Sequence, residues 1–152
     1  MKLGRGFTLL ELMVAIAVLA ILATVGVPSF RALIQNNRVT TQANELVSAL
    51  SFARTEAVKR GRNVEVVITQ LGDGWNARVA VDTTDEALRV VNREGSIVGI
   101  DSDATVVFGP TGAPDTDLTV QTEPGPSCTG QKRRTIEIGL SGQIRTTKGS
   151  CD

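Results

Sequence analysis

Residues 7–27, FTLLELMVAIAVLAILATVGV, are almost continuously apolar, broken only by Thr8, Glu11, Thr24 and Gly26. A bilayer core is crossed by about 20 such residues in a helix. Lys2 and Arg5 precede the run and Arg31 follows it. The short basic leader is expected to stay on the cytoplasmic side, so the rest of the chain is expected to cross outward. A secretory signal has a shorter apolar region that ends at a small-residue cleavage site. Here the run is longer and a polar helical stretch follows it, so the anchor is expected to stay on the mature protein.

Glu11 is the one acidic residue in the run. A carboxylate in lipid costs several kcal/mol unless it is neutralised or paired. No Lys or Arg lies within the run to serve as its partner. Cutting the chain after Gly6 would supply one, because the new α-amino group of Phe7 would stand four residues away. The plainer reading is a glutamate at the interface that reaches back to the headgroups.

The string RGFTLLELMVAIAVLAIL resembles the N-terminus of type IV prepilins and pseudopilins, with Arg5, Gly6, Phe7, Thr8, Leu9 and Glu11 in the family pattern. Pro28 sits where that family has a helix-kinking proline. The resemblance implies a prepilin peptidase as first partner, cutting between Gly6 and Phe7 and methylating the new amine. It also implies that Glu11 pairs with the Phe7 amine of a neighbouring subunit, in a filament core where low dielectric strengthens the attraction.

Beyond the anchor, residues 31–60 read RALIQNNRVTTQANELVSALSFARTEAVKR. Ala43, Leu46, Val47, Leu50, Ala53, Ala57 and Val58 recur every three or four residues, which predicts an amphipathic helix with one core-facing stripe. Residues 35–42 are polar except Val39, so this part is expected at the membrane interface or against neighbouring subunits. Lys59, Arg60 and Gly61 mark the helix end. Gly26 and Pro28 are expected to bend or locally melt the rod. The whole helix, 7–60, would be roughly 80 Å long.

From residue 63 the pattern changes to short β-like runs at 64–69, 75–82, 88–91, 104–108, 134–140 and 143–147. Asp73-Gly74 and Ser141-Gly142 are turn signals. Residues 109–127, rich in Pro, Gly and Asp, read as one long loop. The expected organisation is a cleaved leader at 1–6, a transmembrane and filament-core helix at 7–30, an amphipathic continuation at 31–61 and a β-rich periplasmic domain at 62–152. The expected fold class is α+β, a long helix packed on an antiparallel β-sheet.

The second half resembles, more loosely, the GspH/FimT group of minor pilins and pseudopilins. In that group the helix carries an A-x-E-L…A-R-x-E-A-x-x-R run, matched here at Ala43, Glu45, Leu46, Ala53, Arg54, Glu56, Ala57 and Arg60. Gly74-Trp75 with Asp82 seven residues after the Trp adds to the likeness.

Composition narrows the chemistry. Sixteen basic and sixteen acidic residues give zero formal charge, so a globally basic nucleic-acid binder is not indicated. Histidine is absent, and no triad, metal cluster or Walker loop is present, so neither an enzyme, a cofactor nor a metal is expected. Aspartates such as Asp101, Asp103, Asp115 and Asp117 read as solvated loops rather than a calcium site. Trp75 reads as packing. Cys128 and Cys151 lack C-x-x-C spacing; in an exported domain they suggest one disulfide, and in a cytosolic one two free thiols.

Lys132, Arg133, Arg134, Arg145 and Lys148 form a local basic cluster. In DNA-binding members of the FimT type a G-R-x-R motif contacts DNA; here it reads GQIR, with Gln143 in place of the first Arg. Local positive charge suffices for phosphate contact, whatever its order. The alternatives are a solvated hairpin face or a patch that meets an acidic subunit. The resemblance implies a minor pilin of a type IV pilus that primes assembly or forms the tip, held first in the inner membrane, with DNA capture during transformation as an added role; the alternative is the corresponding pseudopilin of a type II secretion system.

Overall fold

The computed structural model describes residues 7–72, 74–81, 87–93, 98–124 and 132–150, without the side chains of 25, 98 and 124. The leader, Asp73, Asp82, Cys128 and Cys151 lie outside the described residues, and with them the expected cleavage residue Gly6 and the expected disulfide. The chain divides into two compact units, Met1–Ile34 and Gln35–Asp152.

One helix, α1 (Leu9–Arg60), contributes to both units. In the first unit the side chains described from 7 to 31 are all exposed. An 18-residue window of this helix has a mean hydropathy of 2.5 and none of it is buried, so α1 is long and apolar enough to cross a membrane. The helix is continuous through Gly26 and Pro28, so the local melting expected there does not occur. Pro28 has no N–H, and only the Thr24 carbonyl loses its donor.

In the second unit α1 presents Val39, Ala43, Leu46, Leu50, Ala53 and Ala57, all essentially inaccessible to solvent. This is the expected stripe with four differences: Val39 and Ala49 join it, Val47 is only partly buried and Val58 is exposed. Fully burying Leu46 or Leu50 contributes about 1.5–3 kcal/mol each. The four alanines let the sheets lie close to the helix backbone. Gly61 takes a φ of 61° immediately after Arg60, a left-handed C-cap that ends the helix.

Eight strands follow: β1 (Val64–Leu71), β2 (Gly74–Val81), β3 (Ala87–Asn92), β4 (Val98–Ile100), β5 (Ala104–Phe108), β6 (Leu118–Pro124), β7 (Lys132–Ile138) and β8 (Ile144–Ser150). They form two antiparallel sheets, β3-β2-β1-β5 and β4-β6-β7-β8, the expected α+β arrangement of a long helix on an antiparallel β domain. Strict alternation in β1 sends Val64, Val66 and Ile68 inward. Val79 and Ala77 face them across the ladder, and Ile100, Val120, Ile136 and Ile138 of the second sheet enter the same core. Trp75 is fully buried, as its packing role predicts.

The expected loop 109–127 is only half a loop. Its first part turns back on β5, where Phe108 bridges Pro114. Its second part is β6, with Val120 and Thr122 buried between β4 and β7. A strand whose inward positions include a threonine, flanked by Pro and Gly, carries little apolar periodicity. Three-residue β4 carries less.

Candidate processing and assembly site

The first unit holds Phe7 and Glu11, expected to be processed and to register subunits, four residues apart. Phe7 is 77% exposed. Thr8 stands just before the first helical residue, and its Oγ1 accepts the Glu11 N–H at 3.2 Å. In return the Thr8 N–H donates to Glu11 Oε2 at 3.5 Å. This reciprocal pair is a capping box, which satisfies two backbone donors that a helix start leaves without partners. The Thr-x-x-Glu spacing carries that signal in the sequence, and a search for a charged partner alone passes over it. Glu11 also lies in the first turn, where the helix dipole favours a negative charge. Its carboxylate is thus held at the end of the helix from which Phe7 projects, close to where an α-amino group on Phe7 would be.

The expected basic cluster sits in the second unit, on β7 and β8. Alternation places Lys132 and Arg134 on the face that carries Ile136 and Ile138 into the core, and Arg133 on the other. Register sets Lys148 opposite Arg134, and Arg145 opposite Glu137. Lys132, Arg134 and Lys148 therefore share one face, while Arg133 and Arg145 share the opposite one. Arg134 donates to Thr40 Oγ1 at 2.9 Å, and the Lys132 N–H donates to Asn36 Oδ1 at 3.1 Å. These bonds also correct the expectation for 35–42: Val39 is buried, and Asn36 and Thr40 meet the domain's own second sheet. Arg133 donates to Gln121 Oε1 at 2.8 Å and lies 3.8 Å from Glu123. Arg145 donates to Gln143 Oε1 at 3.2 Å and, with Asp117 and Glu137, lines an open groove of about 450 Å³.

The helical run shared with the GspH/FimT group is architectural. Ala43, Leu46, Ala53 and Ala57 are core. Glu45 accepts from Arg93 Nε at 2.6 Å and also pairs with its Nη2. Arg54 Nε donates to the Gly112 carbonyl at 3.0 Å. Arg60, hydrogen bonded to Glu56 at 2.8 Å, holds the Glu56 carboxyl below its ordinary value. Burial opposes that shift, and Lys59 at 3.6 Å adds to it. The aspartates of the loops cap backbone: Asp101 accepts from Gln121 N–H, Asp103 from Gln70 N–H and Asp115 from Val107 N–H.

Comparison with known proteins agrees with this geometry. The prokaryotic N-terminal methylation motif matches residues 1–27, and the family described as type II transport protein GspH matches residues 42–142. Two fimbrial proteins of Pseudomonas aeruginosa are each 38% identical over 64 residues, 42% of this chain and 41% of theirs. The chain thus spans about two fifths of the length of these curated relatives. Two crystal forms of the Pseudomonas aeruginosa type IV minor pilin FimU share the fold. One has a TM-score of 0.61 at 19% identity, covering 73% of this chain and 89% of that one. The other has a TM-score of 0.56 at 20% identity, covering 71% and 91%. With the methylation motif at its start and the GspH match over most of its remaining length, the chain belongs to the GspH-like family of type IV pilin proteins.

Proposed function

We propose that the protein is a minor pilin of a type IV pilus, anchored in the inner membrane with its C-terminal unit in the periplasm, which then enters the filament to prime assembly or form the tip. The observation that carries this reading is the first unit itself. An apolar helix is exposed along its length, and its first turn holds a carboxylate beside the residue that cleavage would make the N-terminus. Such a surface needs lipid or other subunits around it. In the filament a Phe7 amine from a neighbouring copy would meet Glu11 away from water. The fold shared with FimU and the likeness to fimbrial proteins support the pilus over other assemblies.

A second reading, a minor pseudopilin of a type II secretion system, is favoured by the GspH match over 42–142. The two share their assembly physics, so complementation separates them: the chain should restore piliation to a minor-pilin deletion and not secretion to a pseudopilin deletion. DNA capture is left out of the proposal, because the five basic residues are divided between two faces of a sheet.

Mass spectrometry of the protein purified from its host tests the processing step. The expected N-terminus is methylated Phe7. A mature chain that retains the leader would overturn the pilin reading.

A further inference from the structure

Three of the four sheet edges are blunted. β3 carries a register shift against β2 at Val79/Ala80 and is tied to α1 through Arg89, which donates to Ser48 Oγ at 3.2 Å. β5 is covered by the segment that bridges Phe108 to Pro114 and bonds Asp115 N–H to the Val107 carbonyl. β4 is three residues long and packs against β1 and β2. Among the described residues β8 has none of these protections. It pairs with β7 over seven consecutive residues without a register shift, and among the described strands it packs against β7 alone. Residues 145–148 are exposed on both faces, and β8 contains no proline.

The phase of the ladder shows which backbone groups point away from β7. Gly139 N–H donates to the Gln143 carbonyl at 3.0 Å, so this pair is hydrogen bonded. Bonded and non-bonded pairs alternate along an antiparallel ladder. Arg145, Thr147 and Gly149 therefore bond to β7, while Ile144, Thr146, Lys148 and Ser150 turn N–H and C=O outward. A row of outward groups of this kind is a template for another strand.

Charge selects the occupant. Residues 132–150 hold five basic side chains and one acidic one, Glu137, and β8 itself holds Arg145 and Lys148 with no acid. Laying a second copy of β8 along this edge would set these cations against one another. We propose that the β8 edge accepts, by strand addition, an extended acidic segment of another protein. Backbone bonds at Thr146 and Lys148 supply the attachment, and acids on the two faces of the incoming strand meet Arg145 and Lys148. The inference concerns the C-terminal unit and holds whether or not the chain enters a pilus.

The test uses the full chain in detergent micelles and a fluorescent octapeptide of alternating Glu and Thr, read by anisotropy. Controls are the peptide with Lys for Glu, the acidic peptide N-methylated at alternate residues, and a single-stranded oligonucleotide of equal charge. The acidic peptide should bind, and each peptide control should lose about tenfold or more, because either backbone bonding or charge attraction is removed. Thr146→Pro removes an outward N–H at an edge where proline is tolerated and should cost a similar factor. Arg145→Glu with Lys148→Glu should transfer the preference to the Lys peptide. Equal binding of the N-methylated peptide would reduce the site to charge attraction and overturn the proposal. So would tighter binding of the oligonucleotide that survives Thr146→Pro, self-association through β8 in sedimentation, or no binding of the acidic peptide.

Discussion

Glu11 carries two roles that one substitution can separate. As an acceptor for the Thr8 N–H it helps to start α1, and as an anion it would seek a cation. Glutamine serves in a capping box as glutamate does, so Glu11→Gln keeps the first role and deletes the second. The expected outcome is an unchanged, membrane-inserted helix by circular dichroism in micelles, with recovery in sheared filaments lowered about tenfold or more, as loss of a charge pair at low dielectric predicts. Undiminished recovery would remove charge pairing from the account. The contrast with Trp75 shows what a sequence discloses at this scale. The capping box is local and legible as Thr-x-x-Glu. The buried bond from Trp75 Nε1 to Gln42 Oε1, at 2.9 Å, joins residues 33 apart, and nothing in the sequence pairs them. Likewise Arg133 and Arg134 read as one basic patch, yet adjacent positions on a strand face opposite ways.

Elements show the same divide between local and distant causes. The stripe on α1 and the alternation in β1 are periodic, and the sequence discloses both. β6 was hidden because its partners β4 and β7, not its own composition, make it a strand. The last turn of α1 offers a measurable case of local control. Glu56 is held below its ordinary carboxyl value chiefly by its hydrogen bond to Arg60. A depressed folded value means that the stabilisation is fully present above the ordinary value and is lost as pH falls through the depressed one. Its partners Arg60 and Lys59 are largely exposed, so water screens the pair and the effect is small. Comparing urea midpoints of wild type and Glu56→Gln should show wild type ahead near neutral pH. The two should converge once pH falls below the depressed value. A gap independent of pH would mean that the pair does not act through the charge.

At the scale of the C-terminal unit, one seam joins all three layers. Gly112 follows β5 of the first sheet, Gly142 lies in the β7–β8 turn of the second, and Arg54 comes from α1. The two turns are alike: Gly112 N–H donates to the Gly109 carbonyl at 2.8 Å and Gly142 N–H to the Gly139 carbonyl at 2.7 Å. A Cβ on Gly142 would overlap the Gly112 carbonyl oxygen, itself the acceptor from Arg54, and would come within 3.0 Å of Arg54 Nε. Gly142 also has a φ of 75°, which costs a residue with a side chain about 1–3 kcal/mol. Gly139, three residues earlier, offers an internal control, since a Cβ there meets nothing within 4 Å. Gly142→Ala should therefore lower the unfolding free energy by at least about 1–3 kcal/mol, while Gly139→Ala should stay within about 0.5 kcal/mol of wild type. Arg54→Ala combined with Gly142→Ala should cost less than the sum of the two, because neighbours that share an acceptor are not additive. Urea unfolding of wild type and the four variants, Arg54→Ala alone included, in micelles measures all of this. Equal effects at Gly139 and Gly142 would mean that the two sheets are joined by the apolar core alone, and that the turn carrying Gln143 and Arg145 is not held in place by α1.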